Sequence, residues 1–163
     1  MNTTSVTITA IVGGERVGAP ETFETLDPST GQVLATLARG EVDLIDHPVR
    51  AAGWALPGWR STPVLERSQL LTAFAHRVRT EVDDLALTES RDTGKPLSQA
   101  RVDVEQFAQY FEFAAAGIRV LHDDVIPTDD HTLAYTRREP HGVAGVIIPW
   151  NIQHKNGLLE GGE

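Results

Sequence analysis

The chain has 163 residues, with 14 Lys and Arg against 23 Asp and Glu, a formal net charge of −9 and 40% hydrophobic residues. That length and balance suit one globular domain with a core. The acidic excess argues against nucleic acid or an anionic membrane as partner, because neutralising phosphate takes clustered Lys and Arg. There is no cysteine. Within these residues a disulfide, a thiolate metal ligand and a cysteine nucleophile are therefore excluded. The longest apolar run, Gly142 to Trp150, falls short of the about 18 residues that suggest a membrane helix. The first residues lack the basic patch and apolar stretch of a secretory leader, so a cytoplasmic chain is expected.

The first forty residues predict strands. Val6 to Ile11 partly alternates, and Gly13-Gly14 follows as a two-residue hairpin signal. Phe23 to Leu26 reads as a short strand. Asp27-Pro28-Ser29-Thr30-Gly31 reads as a turn, and Gln32 to Ala38 as a further strand. A helix is expected from Asp43 to Ala55, starting late or kinked at Pro48, ended by Pro57-Gly58, with Trp59 in a loop. Thr62-Pro63 predicts a helix start. Leu65, Leu70, Phe74, Val78, Val82 and Leu85 give that helix an apolar stripe. A break near Thr80 is foreseen, with Thr80 or Asp83 as cap, and Gly94 and Pro96 close the segment. The third helix runs from about Leu97 to Leu121, with Ala100, Val104, Phe107, Ala108, Phe111, Ala115 and Ile118 on its buried side. Leu133 to Arg138 alternates as a half-exposed strand. Gly142 to Ile148 is continuously apolar, the pattern of a parallel strand covered on both faces. The 13 residues from Asn151 onward leave no room for a second such strand and its crossover helix.

Ligands of open α/β sheets bind beyond the carboxyl ends of the strands. Pro149-Trp150-Asn151 holds that place. Asn151 offers an amide donor for negative charge developing on a carbonyl oxygen, though Pro and Asn also simply end strands. Thr93-Gly94-Lys95 lacks the earlier glycine of a phosphate loop, where Glu89 stands, and follows a helix rather than a strand; it reads as a helix end. His122, Asp123, Asp124, Asp129, Asp130 and His131 lack metal-ligand spacing and read as a solvated loop. Trp54 and Trp59 read as packing residues, and His76 as exposed. His141 has no visible catalytic partner.

Taken together, Phe23-x-x-Leu26-Asp27-Pro28-Ser29-Thr30-Gly31, Leu56-Pro57-Gly58-Trp59-Arg60, Glu66-Arg67, Glu89-Ser90-x-Asp92-Thr93-Gly94-Lys95-Pro96, Arg138-Glu139-Pro140-x-Gly142-Val143 and Ile147-Ile148-Pro149-Trp150-Asn151 form an ordered set. The set resembles the amino-terminal region of the aldehyde dehydrogenase superfamily, from about Phe23 to Asn151. The resemblance implies NAD(P)-dependent oxidation of aldehydes to carboxylic acids through a cysteine thiohemiacetal. It implies Asn151 as the side-chain donor of the oxyanion hole. Ile147, Ile148, Pro149 and Trp150 would line the cofactor cleft. Thr25, Leu26 and Asp92 match positions that hold a structural monovalent cation in some members. The strand at Leu133 to Arg138 matches part of an oligomerisation arm.

The implied fold is helix-rich α+β, an amino-terminal fragment of the α/β aldehyde dehydrogenase-like fold. It comprises a hairpin and short strands, three helices, the arm strand and the first strand of the cofactor domain. Residues 1–141 form the helical and hairpin region, 142–151 the first strand of an otherwise missing NAD(P)-binding domain, and 152–163 an atypical tail suggestive of a frameshift, premature stop or junction. The glycine-rich cofactor segment, the glutamate base and the cysteine nucleophile of the family have no counterpart here. The chain alone is expected to be inactive, with an aldehyde as the implied substrate and NAD or NADP as the implied cofactor. The alternative is a non-catalytic oligomerisation or partner-binding module that forms a homo-oligomer or joins full-length relatives. A small enzyme using the acidic loop finds no support in the spacing. The unpaired apolar strand predicts self-association.

Overall fold

A computed structural model describes residues 6–40 and 42–148. Glycine conformations shape the first third. Gly13 and Gly14, at φ 60° and 88°, close the expected hairpin between β2 (Ala10–Val12) and β3 (Glu15–Val17). Two successive positive φ values match the right-handed twist of the flanking strands. The run from Val6 is not one strand. It divides at Thr9, and β1 (Val6–Ile8) pairs in parallel with β5 (Val33–Ala38). β4 (Thr22–Leu26) pairs antiparallel with β5, giving a sheet of order β1-β5-β4. The turn between β4 and β5 forms as expected. The Asp27 carboxylate accepts from Ser29 N at 2.8 Å and Ser29 Oγ at 2.5 Å, and Gly31 takes φ 70°. The register shifts between Thr25 and Leu26, the kind of irregularity that re-aims side chains.

The described residues contain four helices rather than three: α1 (Val42–Ser61), α2 (Val64–Thr80), α3 (Val82–Thr93) and α4 (Leu97–Gly117). Neither Pro48 nor Pro57 ends α1, and Trp59 lies in its last turn. A proline removes one backbone bond and kinks a helix without forbidding later turns. Thr62 does not cap α2. Its hydroxyl donates backwards to Gly58 O at 3.1 Å, and Pro63 holds the cap position without a side-chain bond. The break near Thr80 is present at Glu81, but Thr80 donates to Arg77 O and Asp83 accepts from Arg101 Nε, so neither acts as a cap. Gly94 ends α3 at φ 77°, as its position predicts.

The core lies between α2, α3 and α4 and is built largely from alanine. Ala75, Val78, Ala86, Ala100, Val104 and Ala108 are buried, flanked by Val82, Leu85, Leu97, Phe107 and Phe111. Small side chains let the helix axes approach, and Ser68 Oγ crosses from α2 to Ala115 O at 2.7 Å. Phe74, Phe107 and Phe111 cluster at centroid distances of 4.5–6.0 Å, edge-on or tilted as aromatic quadrupoles prefer. The expected stripe of α4 is its buried side. The expected stripe from Leu65 to Leu85 is met in part: Val78 is buried and Val82 and Leu85 pack against the core, while Leu65, Leu70 and Phe74 are exposed and Ser68 and Ala75 face inward instead. The one step of five, from Leu65 to Leu70, drifts off the helical face that the later steps of four and three follow.

The arm strand shrinks to β7 (Ala134–Tyr135), paired with β6 (Val125–Ile126). Residues 141–148 form no strand, against expectation. A ladder needs a neighbour, and none stands beside this segment among the described residues. Trp54 is 77% exposed, so the packing role expected of it is not met among the described residues. No helix there is long and apolar enough to cross a membrane.

Candidate functional site

The structure brings two of the residues implied for cation binding together. The end of β4 and the last turn of α3 converge, and Thr25 Oγ1 donates to Asp92 Oδ1 at 3.0 Å. Leu26 follows directly at the register shift, and because its side chain is aliphatic it can offer only its backbone carbonyl. Hydroxyl, carboxylate and carbonyl oxygens are hard donors, which fits an alkali or alkaline-earth cation and not a soft metal. Among the described residues, no group of three or more His, Cys, Asp or Glu is arranged to hold a metal ion.

The implied cofactor wall is only partly in view. Ile147 is 93% exposed and Ile148 is exposed as well. Pro149, Trp150 and Asn151 lie outside the described residues. Upstream, Gly142 takes φ 105° and passes α1 closely enough that a Cβ would stand 3.9 Å from Leu56 Cδ2. The acidic residues of this segment hold backbone amides, one within a local turn and one across the β6–β7 ribbon. Asp129 accepts from His131 N at 2.9 Å, and Asp123 accepts from Arg138 N at 3.3 Å. Hydrogen bonds from the His131 amide and the Thr132 side chain hold the Asp129 carboxyl below its ordinary value.

One polar site went unseen in the sequence. The Lys95 ammonium lies 2.6 Å from Glu89 Oε1 and 3.0 Å from Asp103 Oδ2, with side-chain exposures of 13%, 2% and 11%. Gln99 Nε2 donates to the other oxygen of Asp103 at 3.0 Å. Burial alone would push Lys95 down, yet its bonds to Glu89 and Asp103 outweigh this and hold it above the ordinary 10.5. The available signal was Asp103, a charge one position from Val104 on the apolar side of α4. On the surface, Arg79 joins α2 to α4 through Glu105 at 2.5 Å and Glu112 at 2.8 Å. The bond to Arg79 holds Glu112 below its usual range.

Comparison with known proteins places these elements. The model of the aldehyde dehydrogenase family matches residues 16–155. The chain is 40% identical over 135 residues to aldehyde dehydrogenase family 2 member B4, mitochondrial, of Arabidopsis thaliana, covering 81% of this chain and 25% of that protein. It is 38% identical over 147 residues to the mitochondrial benzaldehyde dehydrogenase of Antirrhinum majus, covering 87% and 28%. Among solved structures, a mutant of the Bacillus cereus aldehyde dehydrogenase superposes with a TM-score of 0.86 at 34% identity, covering 89% of this chain and 30% of that one. The same enzyme with NAD+ gives 0.79 at 31% identity, covering 82% and 28%. The chain thus spans between a quarter and a third of the length of these relatives. It belongs to the aldehyde dehydrogenase family.

Proposed function

We propose that these 163 residues supply the amino-terminal sheet, helical bundle and arm of an aldehyde dehydrogenase that oxidises aldehydes to acids with NAD or NADP. The observation that carries this reading is the family match over residues 16–155 together with a fold shared at a TM-score of 0.86. In this reading Asn151 donates its amide N–H to the carbonyl oxygen of the substrate. Ile147, Ile148, Pro149 and Trp150 form an apolar wall against the dinucleotide, which accepts hydride when bound. Thr25, the Leu26 carbonyl and Asp92 supply oxygens to a structural cation.

The chain by itself is inactive in this account. The thiohemiacetal route implied by the family needs a thiolate, and the 163 residues contain no cysteine. A cytoplasmic setting is part of the proposal, and cell fractionation tests it. The activity test mixes purified chain with aliphatic and aromatic aldehydes and either dinucleotide, and follows the reduced nicotinamide. No formation above a blank is expected, and turnover that survives removal of host enzymes contradicts the proposal.

A second reading, a non-catalytic partner-binding or oligomerisation module, is favoured by the β6–β7 ribbon. There Val125, Ile126, Leu133 and Tyr135 are all exposed, and apolar surface of this kind marks interfaces. Light scattering and pull-down with a full-length family member separate the two. A saturable complex of fixed stoichiometry supports the second reading, and polydisperse self-association removes it.

A further inference from the structure

The sheet β1-β5-β4 and the bundle α2–α4 are held by their own ladders and core, and among the described residues they meet over a narrow front. Two close contacts lie in it, and the charge of Arg91 on α3 also faces Asp27 in the β4–β5 turn. Thr25 Oγ1 donates to Asp92 Oδ1 at 3.0 Å. Gly94 backs onto the turn between β4 and β5 so closely that a Cβ there would stand 2.9 Å from Pro28 Cγ. The helical partners in both contacts, Asp92 and Gly94, lie at the end of α3. What aims that end is polar and mostly buried. Thr93 Oγ1 donates to Glu89 O at 2.7 Å, and Ser90 Oγ donates to Lys95 O at 2.8 Å. Lys95 then reaches back to Glu89 on α3 and forward to Asp103 on α4.

We infer that Lys95 is a positioning residue: its ammonium, seated between Glu89 and Asp103, fixes the turn from α3 to α4 in the orientation that docks the β4–β5 hairpin on the helical bundle. A cation held between carboxylates on two helices sets both the distance and the direction of the intervening turn, because ammonium donors are short and the site excludes most water. The competing explanation is that the three charges only stabilise the bundle. The two differ in where protection is lost. The inference does not depend on a cation at Thr25 and Asp92, nor on catalysis by any longer chain.

Hydrogen exchange read by mass spectrometry on the full chain tests it, comparing peptides from 22–38 with peptides from 64–117. Lys95→Met alone leaves two buried carboxylates uncompensated and is expected to loosen both regions. The deciding variant is Lys95→Met/Glu89→Gln/Asp103→Asn, which removes all three charges at near-constant volume. Exchange in 22–38 should rise about tenfold while 64–117 stays within about twofold of the parent. Thr25→Val, which cuts the contact from the sheet side, should reproduce the rise in 22–38 with the bundle untouched. Parent-level protection of 22–38 in the triple variant overturns the inference. Equal loss in both regions of the triple variant, or no change in Thr25→Val, does so as well.

Discussion

The α2–α4 bundle and the segment from Val143 to Ile148 are both rich in apolar residues, and they end in opposite states. In the bundle, Ala75, Ala86, Ala100, Val104 and Ala108 are fully buried, and Lys95, Glu89 and Asp103 satisfy one another. In the segment, Val143, Val146, Ile147 and Ile148 stay exposed. Apolar content decides neither outcome. Helical residues find partners within tens of positions along the same chain, whereas a parallel strand needs neighbours separated by a crossover. The bundle closes a core of its own while leaving Leu65, Leu70 and Phe113 exposed, whereas the segment buries none of its large apolar side chains among the described residues.

That contrast can be broken from the bundle side. Lys95→Met is expected to have the largest effect, a loss of roughly 3 kcal/mol, because removing one partner strands buried charge. Neutralising Glu89 and Asp103 as well should recover most of it. Thermal unfolding of the two variants checks both statements. Val104→Ala should cost about 2 kcal/mol in a denaturant titration, since it empties a fully enclosed site. Gly94→Ala should cost about 1–2 kcal/mol, because a side chain at φ 77° is strained and meets Pro28.

The pH dependence sharpens the same comparison. Lys95 is held above its ordinary 10.5 in the folded chain, so its contribution is complete below 10.5 and is lost as pH rises through the higher folded value. The stability gap between the parent and Lys95→Met should therefore be constant from neutral pH to about 10 and shrink above it. Glu112 works in the other direction. Its carboxyl is lowered from 4.5 by Arg79, so its contribution is present above 4.5 and fades as pH falls below. The smallest effect belongs to the open segment. Ile147→Ala should change stability by less than about 0.5 kcal/mol, because a side chain 93% exposed buries almost nothing to lose.

What the sequence made legible follows the same division. Gly13-Gly14, Asp27 to Gly31 and Gly94 announce their conformations because each positive φ is a local demand. The buried side of α4 is legible because its period is local too. The parallel pairing of β1 with β5 is not, since nothing near Val6 specifies Ala35 as its neighbour. The continuation of α1 past Pro57 escapes a rule that treats proline as a stop. The site divides likewise. Thr25 and Asp92 are 67 positions apart and are linked in the sequence only through family resemblance; in the fold Thr25 Oγ1 donates to Asp92 Oδ1. In the sequence Lys95 is only a lysine without a phosphate loop, and its partners on α3 and α4 become visible only when the two helices pack.

The proposed inactivity comes down to one point: a polypeptide that has the family fold but no thiol cannot form the thiohemiacetal or the acyl thioester that follows from it. Intact-mass spectrometry of the purified chain, incubated with an aldehyde and NAD+ or NADP+ and quenched in acid, tests it most directly. No species carrying the acyl group of the aldehyde is expected, with or without dinucleotide. A species heavier by the acyl group of the aldehyde, appearing only when dinucleotide is present, would contradict it.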